Sequence, residues 1–217
     1  LKKYEGNTWE SLDKLIKSIS PLSENEETLK NLLRTHVILK PHVIIDNEFA
    51  KFWFQQDFRF KRPKAKFILR INSPIVFSNV RNAVLTQLYV DSILESLNEF
   101  AYPVRLSGLD FNISYTKKGI ILSLAGFSDK ILDLTRSIVK QLKIININKK
   151  TFQILKEIRI RDYNNFVFDQ PFKQAFYYRN LLLEGKTFSF AEYEKEIKNI
   201  KFSHLKIFVK ELYKKVF

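Results

Sequence analysis

The chain has 217 residues, of which 45% are hydrophobic, and it carries 20 Phe and 9 Tyr but only 5 Gly and 6 Pro. This composition is typical of a globular domain and excludes an intrinsically disordered chain, and no run of about 18 apolar residues is present to form a transmembrane helix. The absence of Cys excludes disulfides and thiol nucleophiles and fits a reducing compartment such as the cytoplasm, whereas the net charge of +14 favours anionic partners.

The length predicts one large domain, or one domain with an appendage, because domains usually hold about 100 to 200 residues. The chain begins at Leu1 and contains no Met, so we expect it to be part of a longer protein.

Residues 1–46 are predicted to form a short helical segment followed by an extended connector. Asn7 and Glu10 form a capping pattern ahead of apolar residues at helical spacing, and a second capping pattern starts at Ser23. Around Pro41 the chain is apolar and β-branched, which favours extended backbone because proline removes a donor. A module boundary is predicted between Asp46 and Ala50.

The next part of the chain is predicted to alternate strands with helices. Apolar residues at every second position predict a strand that includes Phe67, Leu69 and Ile71. Ser78 is predicted to cap a long helix, and Gly108 to stop the helical region that follows. Two apolar stretches, 109–115 and 120–125, flank Lys117-Lys118-Gly119 and predict a β-hairpin.

Helical periodicity dominates the remainder of the chain. Ser128 is predicted to open one helix, and further helices are predicted at about 148–166, 170–183, 189–197 and 203–216. Strands with long helices between and after them predict an α+β fold, in which several helices pack on one face of a mainly antiparallel sheet.

Residues with catalytic potential are few and do not converge. Neither H-x-x-E-H nor H-E-x-x-H occurs, and His36, His42 and His204 have no carboxylate neighbour at the spacing of a zinc site. We therefore predict no catalytic, cofactor-binding or metal-ligating residue in this chain. Asp91 and Glu95 share a helix face, which we interpret as a solvated charged face rather than an acid–base pair.

Two basic segments admit an alternative interpretation. The segment from Phe58 to Lys64 interleaves aromatic and cationic residues, as a site for single-stranded nucleic acid does, but no recognition module accompanies it, so a half-buried strand is favoured and nucleic acid is an unfavoured partner. The last helix is basic and amphipathic. A core-facing helix with a solvated lysine stripe is favoured over docking on a membrane or a partner.

Several short motifs, in this order, resemble the middle or third module of the insulinase-type (M16, pitrilysin-like) zinc metallopeptidases. They are KFWFQQD at 51–57, LNEFAY at 97–102, LSGL at 106–109, GFSDK at 126–130, NNF at 164–166, DQP at 169–171 and AFYYR at 175–179. The resemblance implies that residues 47–217 form the non-catalytic middle module and that residues 1–46 include the end of the preceding module.

The same resemblance implies the function. Members consist of four related α+β modules in two bowl-shaped halves that enclose a peptide, and the H-x-x-E-H motif and its zinc belong to the first module. This chain would then need no cofactor of its own, and its partners would be the other modules and peptide substrates. A structural scaffold that descends from such peptidases and is inactive is the alternative. For a chamber wall that attracts acidic peptides, the candidate residues are Lys156, Arg159 and Arg161.

Overall fold

A computed structural model describes residues 41–47, 50–57, 62–142 and 147–214, so the predicted helices of the first 35 residues lie outside the described part. The strands are β1 (His42–Asp46), β2 (Lys51–Phe54), β3 (Lys64–Asn72), β4 (Asp110–Thr116) and β5 (Gly119–Phe127). The helices are α1 (Val80–Ser96), α2 (Asn98–Leu106), α3 (Ile131–Leu142), α4 (Lys149–Asn165), α5 (Pro171–Leu183), α6 (Phe190–Asn199) and α7 (Phe202–Leu212), with a 3-10 turn at Phe166–Phe168.

The main sheet is antiparallel, and β5 lies between β3 and β4. Its register aligns apolar residues in rows across the strands, because Leu69 and Ile113 both pair with Leu122. The face that contains Ile71, Ile120 and Leu122 is buried, whereas alternate residues of β3 such as Ile68 are exposed. The helices pack on the buried face, through contacts of α1 and α2 with β4 and of α3 with β5. The α+β prediction is therefore confirmed.

The tight turn between β4 and β5 confirms the predicted hairpin. β4 ends at Thr116 and β5 starts at Gly119, so the turn consists of Lys117 and Lys118. Gly119 lies directly against β3, where an added Cβ would come within 1.9 Å of the Ile71 carbonyl oxygen. Gly108 follows α2 with φ of +75°, which confirms its predicted role as a helix stop.

The hairpin of β1 and β2 spans the predicted module boundary. Asp46 pairs with Lys51, so the two strands flank the predicted boundary. The boundary itself stays a prediction. The Phe52 ring lies 6.2 Å from the Phe67 ring, so this hairpin packs against β3.

Helix α1 is the central element of the core. It contacts β4, α2, α3, α4, α6 and α7, and every residue from Ala83 to Val90 is buried. The buried polar side chains have partners: the Thr86 hydroxyl lies 3.1 Å from the Val76 carbonyl oxygen, and the Ser92 hydroxyl donates to the Leu88 carbonyl at 2.6 Å. The part of α1 from Ala83 to Val90 is therefore surrounded by other elements and does not have a single apolar stripe.

Two predicted helix starts are wrong by one to three residues. Asn79, not Ser78, caps α1 by accepting a hydrogen bond from the Asn82 backbone N–H at 2.8 Å, because Ser78 instead donates to the Ile75 carbonyl. Helix α3 starts at Ile131 rather than at Ser128, whose backbone N–H pairs with the Pro63 carbonyl and ties it to the end of the sheet.

The last helix confirms the core-facing interpretation. In α7 the side chains of Leu205, Phe208, Val209 and Leu212 are buried, and Lys206 and Lys210 are exposed. The following residue, Tyr213, is buried against α1, where its hydroxyl lies 2.6 Å from that of Tyr89.

Candidate functional site

A cleft of about 600 Å³ opens where the end of α4 and the 3-10 turn meet α1, β4 and the start of α6. Its polar lining includes Gln87, Tyr115 and Arg159, and its aromatic lining includes Phe166 and Phe190. The cleft exists because the inward face of α4 packs against α1 and α6. This face carries residues at helical spacing, namely Phe152, Lys156, Arg159 and Tyr163.

Arg159 forms the strongest polar contact at the base of this cleft. Its Nε and Nη2 atoms each donate to a carboxylate oxygen of Asp91 at 2.6 Å, which is bidentate geometry. The side chains are 24% and 16% exposed, so water screens the pair only in part. Burial lowers the pKa of Arg159, but the hydrogen bonds and charge of Asp91 outweigh it and raise that pKa overall.

This ion pair corrects the interpretation of Asp91 and Glu95 as one solvated charged face. Glu95 is exposed, but Asp91 points into the domain and is neutralised by a cation on α4. The difference arises because the Asp91 side chain is only 16% exposed, so its carboxylate needs a partner.

The tyrosines of the cleft stay protonated at neutral pH. Burial raises the pKa of Tyr115 and Tyr163, even though the charge of Arg159 opposes it in both. The Tyr163 hydroxyl donates to the Gln87 side-chain oxygen. Neutral phenols and a paired guanidinium donate hydrogen bonds but do not act as a general base, and this part of the cleft is suited to binding. The lining also holds the carboxylates of Asp162 and Asp169. Asp169 pairs with Lys173 at 2.8 Å, and the hydrogen bond from Lys173 lowers the pKa of Asp169.

The three predicted chamber-wall cations do not lie together. Lys156 points towards α6, where its Nζ donates to the carbonyls of Lys198 at 2.9 Å and Ile200 at 3.0 Å. Arg159 is paired with Asp91, whereas Arg161 lies on the opposite, exposed side of α4. Burial lowers the pKa of Lys156, as expected for an ammonium group that is held against the domain.

The histidines within the described residues are separated in the fold. His42 is exposed in β1, and His204 accepts a hydrogen bond from the Lys201 backbone N–H at the start of α7. Across residues 41–47, 50–57, 62–142 and 147–214, no group of three or more His, Asp or Glu side chains is arranged to hold a metal ion. The described residues therefore do not fit a zinc site.

Two further expectations concern nucleic-acid binding and membrane insertion. The basic aromatic segment near Phe58 lies largely outside them, since residues 58–61 are not described. None of the helices in the described part is both long and apolar enough to cross a bilayer.

The fold is that of an α+β module of the pitrilysin type. The crystal structure of pitrilysin superposes with a TM-score of 0.77, at 17% identity, over 82% of this chain and 19% of the pitrilysin chain. The sequence matches the family described as the middle or third domain of peptidase M16 over residues 25–196. The chain belongs to the peptidase M16 family and corresponds to that domain.

Curated relatives are enzymes of much greater length. Human insulin-degrading enzyme is 33% identical over 172 residues, which are 79% of this chain and 17% of that enzyme. A relative from Schizosaccharomyces pombe, whose name describes it as a zinc protease, is 29% identical over 180 residues, 82% of this chain and 18% of its own. The chain thus spans less than a fifth of the relatives that it matches.

Proposed function

We propose that this chain is the non-catalytic middle module of an insulinase-like zinc metalloendopeptidase. In this role it helps to form the chamber that encloses peptide substrates, and an H-x-x-E-H module elsewhere in the parent chain cleaves them. The observation that carries the proposal is the match to the middle domain of peptidase M16 over residues 25–196, in a sequence that holds neither zinc-peptidase motif. The described residues offer a binding cleft and no metal-ligand group.

The test is peptide cleavage by the full-length parent protein. We expect the parent to cleave unstructured peptides and to lose this activity when a chelator removes zinc, with recovery when zinc is restored. A parent protein that binds no zinc and cleaves no peptide under any of these conditions contradicts the proposal and favours the inactive scaffold.

Among the chamber-wall cations, we propose different roles for the three residues. Lys156 and Arg159 donate hydrogen bonds to groups within the domain, so they hold α4 in place against α6 and α1. Arg161 is exposed, and no ion pair of its side chain occurs within the described residues, so it is the member of the set that is available to an acidic peptide.

Exchange of Arg161 for Gln in the parent separates these roles. If Arg161 faces the substrate, KM for an acidic peptide rises several-fold, and its dependence on salt weakens, because one screened attraction has been removed. A neutral peptide of the same length is the control and keeps its KM. Equal effects on both peptides, or no effect on either, would remove Arg161 from the chamber wall.

A further inference from the structure

Helix α5 carries large apolar or aromatic side chains on both its inner and its outer side. Its inner side is held to the domain through Tyr177, whose ring stacks on Phe190 at 4.6 Å and whose hydroxyl accepts a hydrogen bond from the Phe190 backbone N–H at 2.8 Å. Gln174, one turn away, donates to the carbonyls of Val167 and Asp169. Even so, no residue of this fully described helix is buried.

The outer side of α5 presents large apolar side chains to solvent. Phe172, Phe176 and Leu183 follow each other at spacings of four and seven residues, so they lie on one face, opposite Gln174 and Tyr177. They are 56%, 51% and 77% exposed, and the neighbouring Phe168 and Leu182 are 86% and 85% exposed. We call these five residues the α5 face.

An apolar surface of this kind marks an interaction site. Single exposed apolar residues are ordinary, but a group of three Phe and two Leu side chains on one helix and the turn that precedes it is typical of a surface that another protein surface covers. Arg179 lies beside the face, with its guanidinium 4.6 Å from the Phe176 ring centre. Aromatic residues and arginine are the residue types enriched in interface cores.

We propose that the α5 face is the surface on which another module of the parent polypeptide docks. This inference rests on the proposed function, because it requires a longer parent chain. Relatives of this chain are about five to six times its matched length, since it covers 17% of human insulin-degrading enzyme and 19% of pitrilysin. A module that is tethered in the same polypeptide reaches a high effective concentration, so it covers such a face without an independent high affinity.

Charge and shape argue against the other occupants. A second copy would bring together two chains of net charge +14 and, beside the face, two copies of Arg179, which repel. A peptide ligand is bound most often in a concave site, whereas the α5 face is the convex side of a helix.

Hydroxyl-radical footprinting of the full-length parent protein tests this assignment without any substitution. Oxidation rates of Phe172, Phe176 and Leu183 in the native parent are compared with their rates in the same protein unfolded in urea. We expect them to be at least about fivefold slower in the native parent, approaching the protection of the buried Tyr193, because an interface core excludes water.

Each other outcome overturns the proposal. Rates close to those of the unfolded protein show that nothing covers the face, protection that is lost on dilution assigns it to a second copy, and protection that appears only after a peptide is added assigns it to substrate. The measurement needs neither zinc nor cleavage, so an inactive parent that protects the face refutes only the proposed function.

A pair of variants provides a second measure. Phe172→Ser with Phe176→Ser in the parent should lower its Tm by several degrees, because a docked partner would lose two apolar anchors. Phe172→Leu with Phe176→Leu keeps an apolar surface and should restore most of the loss. Equal Tm values for both variants and the unaltered parent would contradict a covered face.

Discussion

At the scale of single residues, the pair of Arg159 and Asp91 connects the two helices that form the cleft. Asp91 lies in α1 and Arg159 in α4, and bidentate hydrogen bonds of 2.6 Å hold them together while both side chains are mostly buried. Loss of one partner leaves the other as an uncompensated charge in a place where water reaches it poorly.

Exchange of Arg159 for Gln is therefore expected to lower the free energy of unfolding of this chain by about 1–3 kcal/mol, below the range for a fully buried pair because water screens this one in part. Urea unfolding followed by circular dichroism measures the change. Arg161→Gln is the matched control on the exposed side of α4 and should change stability by less than about 0.5 kcal/mol. If the two variants lose equal stability, the pair does not stabilise the domain.

The inward face of α4 shows what the sequence alone reveals about the cleft. The spacing of Phe152, Lys156, Arg159 and Tyr163 is that of one helix face, so their common side was predictable from periodicity. Asp91 lies 68 positions before Arg159 in the sequence, and no local pattern relates residues that far apart. The prediction consequently grouped Arg159 with Arg161, although the helix separates them.

At the scale of secondary structure, side-chain caps determine where the helices begin. Asn148 accepts from the Thr151 backbone N–H at 2.8 Å, and Ser189 and Glu192 form a reciprocal capping box at the start of α6. These starts agree with the predictions because a cap is encoded within four adjacent residues. The start of α3 was mispredicted because the sheet engages Ser128, a contact outside that window.

Ser189→Ala is expected to destabilise the chain by about 1 kcal/mol, because it removes both hydrogen bonds of the Ser189 hydroxyl to Glu192. Ser128→Ala is the matched control, since among the described residues the Ser128 hydroxyl makes no hydrogen bond and its backbone contact survives the exchange. Thermal unfolding of both variants measures the difference. An equal loss of stability in Ser128→Ala would mean that this hydroxyl caps α3 after all.

At the scale of the whole molecule, buried tyrosines join the helical layer. The Tyr89 hydroxyl donates to the Leu142 carbonyl at 2.7 Å, which leaves the Tyr213 hydroxyl as the donor in their mutual contact and links α1, α3 and the end of α7. Burial raises the pKa of Tyr89 and Tyr213, and of Tyr163 and Tyr193 near the cleft.

These pKa shifts predict a loss of stability in alkali. A folded-state pKa above the unfolded value of about 10 means that the unfolded state releases its protons first, so the stabilisation is complete below about pH 10 and is lost as pH rises beyond it. The urea midpoint should decrease as the pH is raised from about 10 to about 12, and it should decrease less steeply in Tyr89→Phe with Tyr213→Phe. A constant midpoint over this range would show that these phenols ionise equally in both states.

The α+β architecture was predictable because strand alternation, the hairpin at Lys117 and the helical periods are local signals. The central position of α1 was not predictable, since Thr86, Gln87 and Ser92 resemble solvent-facing residues. Thr86 and Gln87 have hydrogen-bond partners outside α1, and Ser92 donates to the Leu88 carbonyl within the helix.

The central claim is that this chain contributes structure, and no metal ligand, to a zinc peptidase. The most direct measurement is the zinc content and peptide-cleavage rate of the full-length parent in which His36, His42 and His204 are all replaced by Gln. The account predicts that zinc content and cleavage rate both stay at the level of the unaltered parent, because no metal-ligand group occurs within the described residues and His36 has no zinc-site pattern around it. Loss of zinc together with loss of cleavage in a folded variant would contradict it and place catalytic chemistry in this module.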